Sequence, residues 1–186
     1  MRLNNKGITL VELIIAIAAS TIIFGAAMIF MASAHRGYNT ASTEINLQTE
    51  SQVLVEQISE WVMEGNKIEI DATNHKLIVY RIDSISIAAS PTGIKRVIWL
   101  GSGGKLYMKR FTDISLDVTT ADEIIDNCIG EYVTDFTPGY DLSDNDKVTI
   151  NMKLKIGTNE HEINDTFKVR NAITAGIHYL DWRKAV

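Results

Sequence analysis

The chain has 186 residues, a formal net charge of −5 and a sequence pI near 5.4. This length predicts one compact domain with an additional segment. The acidic balance disfavours direct nucleic-acid binding, because phosphate binding requires a basic face. A single cysteine, Cys128, excludes an intrachain disulfide, so the domain must be held together by its apolar core.

The first part of the chain combines a short basic leader with a long apolar run. Arg2 and Lys6 lie in the leader, and Glu12 is the only formal charge in residues 8–34. A helix over this run would extend about 40 Å, enough to cross a bilayer of about 30 Å. The basic leader predicts a cytoplasmic N-terminus and a head outside the cytoplasm. Because an ionised carboxylate is unfavourable in hydrocarbon, we expect Glu12 to have a function.

The segment from Lys6 to Leu13 reads Lys-Gly-Ile-Thr-Leu-Val-Glu-Leu. It resembles the prepilin cleavage motif of type IV pilins and type II secretion pseudopilins. The resemblance implies that a membrane peptidase cuts after Gly7 and methylates the new amino group of Ile8. It also implies that Glu12 is the glutamate of this motif. Ile8 departs from the family pattern, which usually has Phe at this position.

Glu12 has a physical role that agrees with this resemblance. Cleavage would create an α-amino group on Ile8 that is mostly cationic at neutral pH. Glu12 lies about one helical turn, or roughly 6 Å, from that amine and near the positive end of the helix dipole. In a filament its carboxylate could neutralise the amine of a neighbouring subunit and set the axial register. A signal anchor with an incidental carboxylate near the membrane interface is the alternative.

One long helix is predicted from residue 8 to Gly65 and Asn66, because no proline interrupts it and this pair is a suitable stop. Its second half has a polar face and an apolar stripe. The predicted stripe consists of Leu47, Leu54, Ile58 and Trp61, widened by Ile45, Val55 and Val62.

After residue 66 the apolar period changes to two, which predicts strands. The predicted strands cover residues 67–71, 76–82, 95–100, 105–111, 148–156 and 162–169, and residues 112–118 are expected to be another strand or the approach to one. Residues 101–104 and 157–159 are predicted hairpin loops, residues 121–127 a short helix, and residues 84–89 either a strand or a buried loop.

Strands without intervening helices indicate an antiparallel sheet that needs a cover on one face. The predicted fold class is α+β and pilin-like, with the amphipathic half of the long helix packed on an antiparallel head. The chain is therefore predicted to contain four segments: a leader peptide (1–7), a transmembrane and filament-core helix (8–34), an amphipathic helix (35–65) and a β-rich extracytoplasmic head (66–186).

Three later segments resemble the minor pseudopilin group that includes the J component of type II secretion and the W-type minor pilins. They are residues 65–68, 106–110 and 167–171, the last with the pattern Phe-x-Val-Arg-Asn. Many major pilins have a proline within the apolar helix, and this chain has none in that run. The resemblance therefore implies a minor subunit.

The sequence contains no recognisable catalytic constellation, which predicts that the chain is not an enzyme. Gly104-Lys105 lacks the P-loop spacing, and the four histidines share no metal-ligand spacing. Asp141, Asp144 and Asp146 are candidate calcium ligands in an acidic stretch, although the EF-hand spacing is absent and such residues are common in turns. No other cofactor is expected.

We therefore expect a non-enzymatic minor pilin or pseudopilin of the cytoplasmic membrane that enters a cell-surface or envelope-spanning filament. The expected partners are other major and minor pilin-like subunits, the prepilin peptidase, an inner-membrane assembly platform and membrane lipid. The alternative is a membrane-anchored extracytoplasmic binding domain that does not polymerise. An extracytoplasmic hydrolase is disfavoured, because no catalytic residues support it.

Overall fold

The computed structural model describes residues 9–84, 92–141 and 144–169. In these residues one α-helix precedes eight strands, which confirms the predicted α+β class. The elements are α1 (Leu10–Glu64), β1 (Lys67–Asp71), β2 (Lys76–Ser84), β3 (Thr92–Leu100), β4 (Leu106–Phe111), β5 (Cys128–Gly130), β6 (Val133–Asp141), β7 (Asp144–Ile156) and β8 (Asn159–Lys168). Two single-turn 3-10 helices, Thr120–Asp122 and Ile125–Asn127, lie between β4 and β5.

The helix α1 is continuous for 55 residues, or about 82 Å at 1.5 Å per residue. This confirms the predicted single helix over the described part of its range. The chain divides into two compact units, Met1–Thr43 and Glu44–Val186, so α1 contributes residues to both. The second unit contains all of the described strands.

The described strands form two antiparallel sheets rather than the single sheet that the sequence indicated. The first sheet contains β1 to β5 in chain order, and the second contains β6, β7 and β8 in chain order. The chain leaves the first sheet at Tyr132, whose φ of 63° is left-handed and incompatible with an extended strand. Tyr132 O then accepts a hydrogen bond from Lys155 N–H at 2.8 Å, which joins this corner to β7.

The second half of α1 buries one apolar stripe, which fulfils its predicted role in covering the sheets. The buried positions are Leu47, Ser51, Leu54, Ile58 and Val62. Trp61 and Val55 are only partly buried.

Ile45 is 61% exposed, so its predicted place in the stripe was wrong. Residues two apart on a helix lie about 200° apart, which places Ile45 nearly opposite Leu47.

The main core combines this stripe with side chains from both sheets. Its strand members are Leu77 and Val79 of β2, Ile98 of β3, Leu106 of β4, Val133 and Phe136 of β6, and Val148, Ile150, Met152 and Leu154 of β7, followed by Val169. Since both sheets contribute to one cluster with α1, the unit Glu44–Val186 has a shared core.

Gly130 allows β5 to approach α1 closely. A Cβ atom at Gly130 would lie 2.6 Å from both Cδ atoms of Leu54, closer than real side chains approach. Next to it, Glu131 N–H donates to Glu50 Oε1 at 3.0 Å. The contact between β5 and α1 therefore requires a residue without a side chain at position 130.

The C-terminal end of α1 is fastened to the first sheet at Gly65 and Asn66. Gly65 N–H donates to Trp61 O at 3.1 Å, which closes the helix. Asn66 then makes two side-chain bonds with one residue of β2: Nδ2 donates to Ile82 O at 2.8 Å, and Oδ1 accepts from Ile82 N–H at 3.0 Å. The side chain of Asn66 thus pairs with β2 as a strand residue would.

The outer face of the first sheet carries a second apolar cluster, which residues 112–127 help to cover. We call residues 112–127 the covering segment. Because side chains alternate along each strand, this cluster uses the residues between those of the main core. It consists of Ile78, Tyr80, Val97, Trp99, Tyr107, Phe111 and Ile114.

Lys95 helps to hold the covering segment on the sheet from a buried position. Its side chain is only 6% exposed, and Nζ donates to Leu116 O at 2.6 Å. The Asp117 carboxylate lies 3.9 Å from the same ammonium, and the rings of Tyr80 and Phe111 lie about 6 Å from it. The charge is thereby compensated by a carbonyl, a carboxylate and two ring faces.

The covering segment corrects two predicted elements. Residues 112–118 are not a strand, because Asp113 Oδ1 accepts bonds from the backbone and hydroxyl of Ser115 and forms a local turn. Residues 121–127 are not one helix but the two single-turn 3-10 helices. Here Asn127 Nδ2 donates to Asp122 O at 2.7 Å, so a side chain satisfies a carbonyl that a longer helix would use.

Asp122 makes the covering segment sensitive to acid. Its carboxylate accepts bonds from Lys109 Nζ and from Thr119 N–H, and the Lys109 bond is the main reason that the pKa of Asp122 is lowered below 3.8. Because the pKa of Asp122 is lower in the folded chain than in the unfolded chain, the ionised carboxylate stabilises the folded chain at pH values above 3.8. This stabilisation is lost as the pH falls through the pKa that Asp122 has in the folded chain.

We expect Asp122→Asn to be less stable than the unsubstituted chain near pH 7, with the difference shrinking towards zero below pH 3.8. Urea denaturation of both chains across this pH range measures the difference. Asp126→Asn is the control, because Asp126 is exposed in the same segment and makes no hydrogen bond or ion pair among the described residues. A difference that stays constant with pH would contradict this role of Asp122.

Candidate assembly site at the start of the long helix

The start of α1 is fixed by Thr9, which precedes the first helical residue. Thr9 Oγ1 accepts a hydrogen bond from Glu12 N–H at 3.3 Å, and Leu13 N–H donates to Thr9 O at 3.2 Å. These bonds place Thr9 at the N-cap and Glu12 at the third helical position. The spacing Thr-x-x-Glu is a capping-box signature, and sequence reasoning missed this role of Thr9.

The carboxylate of Glu12 is exposed in the first turn of α1. Thr9 Oγ1 is 3.5 Å from Glu12 Oε2, and this long hydrogen bond leaves the rest of the carboxylate accessible. The unpaired N–H groups at a helix start favour a negative charge at this position. The first turn therefore holds a carboxylate that a cation can reach.

Large apolar side chains surround Glu12 and continue along the helix. Its neighbours Leu10, Val11 and Leu13 are 75%, 64% and 54% exposed. Exposed large apolar residues continue through Ile14, Ile15, Ile17, Ile22, Ile23, Phe24, Met28, Ile29, Phe30 and Met31. Such a surface is unfavourable in water and requires lipid or protein as its environment.

Among the described residues, α1 is the one helix that is long and apolar enough to cross a membrane. Two hydroxyl groups within this run are satisfied inside the helix. Ser20 Oγ donates to Ala16 O at 2.7 Å, and Thr21 Oγ1 donates to Ala18 O at 2.8 Å. Internal satisfaction of polar groups suits a segment surrounded by hydrocarbon.

The described residues include only part of the predicted cleavage, methylation and assembly site. Glu12 is described, whereas Gly7 and Ile8 lie outside the described residues. Cleavage after Gly7 and methylation of Ile8 therefore stay predictions.

The candidate calcium ligands are also only partly described. The backbones of Asp141 and Asp144 pair at the ends of β6 and β7, but the side chains of Asp141, Asp144 and Asp146 lie outside the described residues. In the part of the chain that the structure describes, no three His, Cys, Asp or Glu side chains are arranged to hold a metal ion.

Cys128 lies in β5 and is half-buried, with Sγ 3.5 Å from Gly130 O. Lys105 and Glu131 form an ion pair nearby at 3.4 Å, and the hydrogen bond that Lys105 donates to the Glu131 carboxylate raises the pKa of Lys105. Lys105 is therefore a partner in a surface ion pair.

Comparison with known proteins adds one match at this same end of the chain. The family model described as the prokaryotic N-terminal methylation motif matches residues 2–28. No curated protein and no solved structure matches the chain. The matched residues contain Gly7, Ile8 and Glu12 and most of the exposed apolar surface of α1.

The motif supports a type IV pilin-like protein, a structural rather than an enzymatic class. It implies processing by prepilin peptidase and assembly with other pilin subunits. The apolar helix and the motif together fit a membrane-anchored pilin-like protein.

Proposed function

We propose that this chain is a minor pilin or pseudopilin that acts at or near the tip of a filament. It is cut after Gly7, methylated on Ile8 and assembled by helix packing into a type IV pilus or a related secretion or DNA-uptake filament. The observation that carries this proposal is Glu12, an exposed carboxylate in the first turn of α1 and the only formal charge in the apolar run of residues 8–34.

Glu12 provides the specificity of assembly. Helix packing between apolar surfaces alone leaves the axial position of each subunit poorly defined, because lipid tails are as apolar as the helices. A carboxylate in that surface is costly unless a cation reaches it. The methylated amino group of a neighbouring subunit supplies that cation, so one axial offset is favoured over the others.

Two features support a minor subunit of the J or W type. The apolar run of α1 contains no proline, and each of the three matching segments overlaps a strand of the head. Residues 106–110 lie in β4, and Phe167 and Lys168 end β8. A head of this kind prepares assembly or contacts a surface or cargo rather than forming the repeating shaft.

The proposed partners are other pilin-like subunits, the prepilin peptidase, an inner-membrane assembly platform and membrane lipid. The protein is inserted in the cytoplasmic membrane with its N-terminus cytoplasmic, and its acidic charge gives it no direct role in nucleic-acid binding. The head requires no cofactor, and calcium bound through Asp141, Asp144 and Asp146 is the one candidate ligand.

Mass spectrometry of the protein purified from cells tests this function. We expect the mature chain to begin at Ile8 and to carry one methyl group on its amine, because the peptidase removes residues 1–7. Gly7→Val is the matched variant and is expected to retain the leader, because a β-branched side chain occupies the position before the cut. A native chain that still begins at Met1 would favour the tethered binding domain that does not polymerise.

A further inference from the structure

Three arginines lie side by side on the face of the first sheet that packs against α1. They are Arg81 of β2, Arg96 of β3 and Arg110 of β4, and they alternate with the residues of the outer face. Arg96 and Arg110 are directly opposite in the antiparallel register, and Arg81 is diagonal to Arg96. Like charges directly opposite destabilise a sheet. The stability of the sheet therefore does not explain this arrangement.

The described carboxylates compensate these positive charges incompletely. Glu64, the last residue of α1, holds Arg96 with Oε2 2.8 Å from Nη2. Arg81 Nε lies 3.3 Å from Asp83 Oδ1. Among the described residues, Arg81 Nε and Arg96 Nη1 are nevertheless buried without a hydrogen-bond partner, and no ion pair reaches Arg110. Since buried N–H groups are normally paired, these arginines retain both positive charge and donor capacity.

The three arginines differ in their access to solvent. Arg110 is exposed, the side chain of Arg81 is 41% exposed, and that of Arg96 is only 12% exposed. An anion that binds Arg110 therefore meets a partly desolvated guanidinium on the opposite strand, where charge-assisted hydrogen bonds are stronger than in water. All three arginines and Glu64 belong to the unit Glu44–Val186.

We propose that Arg96 and Arg110 bind a carboxylate of an acidic polypeptide segment in a partner protein. The guanidinium fork matches a carboxylate in two parallel hydrogen bonds. Glu64 makes a contact of this kind within the chain, because its carboxylate reaches Arg96. The carboxylate of the partner supplies the missing negative charge and offsets the repulsion between the two opposed arginines. Such a site serves a polymerising subunit and a tethered binding domain alike, so it does not depend on the proposed function.

The charge of the whole chain favours a polypeptide carboxylate over the phosphates of a nucleic acid. The net charge of −5 repels a densely charged polyanion, whose binding requires a broad basic face. A short acidic segment requires only a local group of cations, which the three arginines provide.

Fluorescence anisotropy with a fluorescein-labelled hexaglutamate peptide and the full-length chain in detergent tests this site. Arg110→Gln is expected to weaken binding at least about tenfold, because charge-assisted hydrogen bonds are lost. Folding should persist, because Arg110 is exposed. Lys155→Gln makes the same change of charge at an exposed position of β7 and should leave the affinity unchanged. Equal losses in both variants, or no binding by the unsubstituted chain, overturn the proposal.

Glu64→Gln tests the same site in the opposite direction. It releases Arg96 from the carboxylate within the chain, so the peptide is expected to bind about threefold more tightly. Glu160→Gln is the control, because it removes the same charge from an exposed position of β8. A gain for Glu64→Gln no larger than that for Glu160→Gln overturns the proposal. A short single-stranded DNA that binds at least as tightly as hexaglutamate overturns the assignment to a polypeptide carboxylate.

Discussion

Glu12→Ala is expected to reduce incorporation of the subunit into filaments by at least about tenfold, because removing one partner of a buried ion pair leaves the other charge uncompensated and costs about 3–5 kcal/mol. Membrane insertion and leader cleavage should persist, because the substitution makes the apolar run more apolar. The ratio of subunit in sheared, pelleted filaments to subunit in total membranes, measured by quantitative immunoblot, gives the effect.

Three further variants separate the charge of Glu12 from its other contacts. Glu12→Gln keeps the shape of the side chain and is expected to be impaired like Glu12→Ala, because it cannot neutralise an amine. Thr9→Ala removes the N-cap but keeps the carboxylate, so it should reduce incorporation into filaments less than Glu12→Ala does. Glu44→Ala changes an exposed carboxylate outside the apolar run and should behave normally. Normal incorporation of Glu12→Ala would exclude the proposed role.

Leu54→Ala is expected to lower the free energy of unfolding by about 2–5 kcal/mol. Leu54 is fully buried in the main core and fills the space above Gly130, so its removal leaves a cavity between α1 and β5. Urea denaturation of the full-length chain in detergent measures the loss. Val53→Ala, at an exposed neighbouring position of α1, should change stability by no more than about 0.5 kcal/mol.

A double-mutant cycle with Gly130 tests whether these two residues are in direct contact. Gly130→Ala alone is expected to cost about 1–3 kcal/mol through overpacking against Leu54. In the Leu54→Ala background the new methyl group enters the cavity, so the second substitution should cost much less. Gly139→Ala is the control, because a Cβ there meets nothing closer than 4.0 Å. If Leu54→Ala and Gly130→Ala lower the free energy of unfolding by strictly additive amounts, the described contact between these residues is contradicted.

The elements with a clear hydrophobic period were predictable from the sequence. The helix α1 and strands β1, β2, β3, β4, β7 and β8 were predicted close to their observed positions, because burial determines both their pattern and their structure. The strand β6 was missed because Pro138 and Gly139 interrupt its pattern. Proline is compatible with an edge strand, and β6 lies at the edge of the three-stranded sheet among the described residues.

The covering segment could not be predicted from its period, because polar side chains determine its path. Asp113, Asp122 and Asn127 bond to nearby backbone groups and compete with regular structure. At the candidate site, the charge of Glu12 was recognisable because it contrasts with the surrounding apolar residues. Its partner could not be derived from one chain, since the proposed cation belongs to a neighbouring subunit.

The fastening of α1 at Asn66 has a mechanical consequence for a protein pulled along its long helix. The chain passes from α1 into β1, which is an edge strand in the described sheet, and tension there would peel β1 away one bond at a time. Asn66 instead joins the end of α1 directly to Ile82 in β2, which pairs with both β1 and β3. A pull on α1 is therefore shared between the backbone of β1 and two hydrogen bonds to β2, an interior strand of the described sheet.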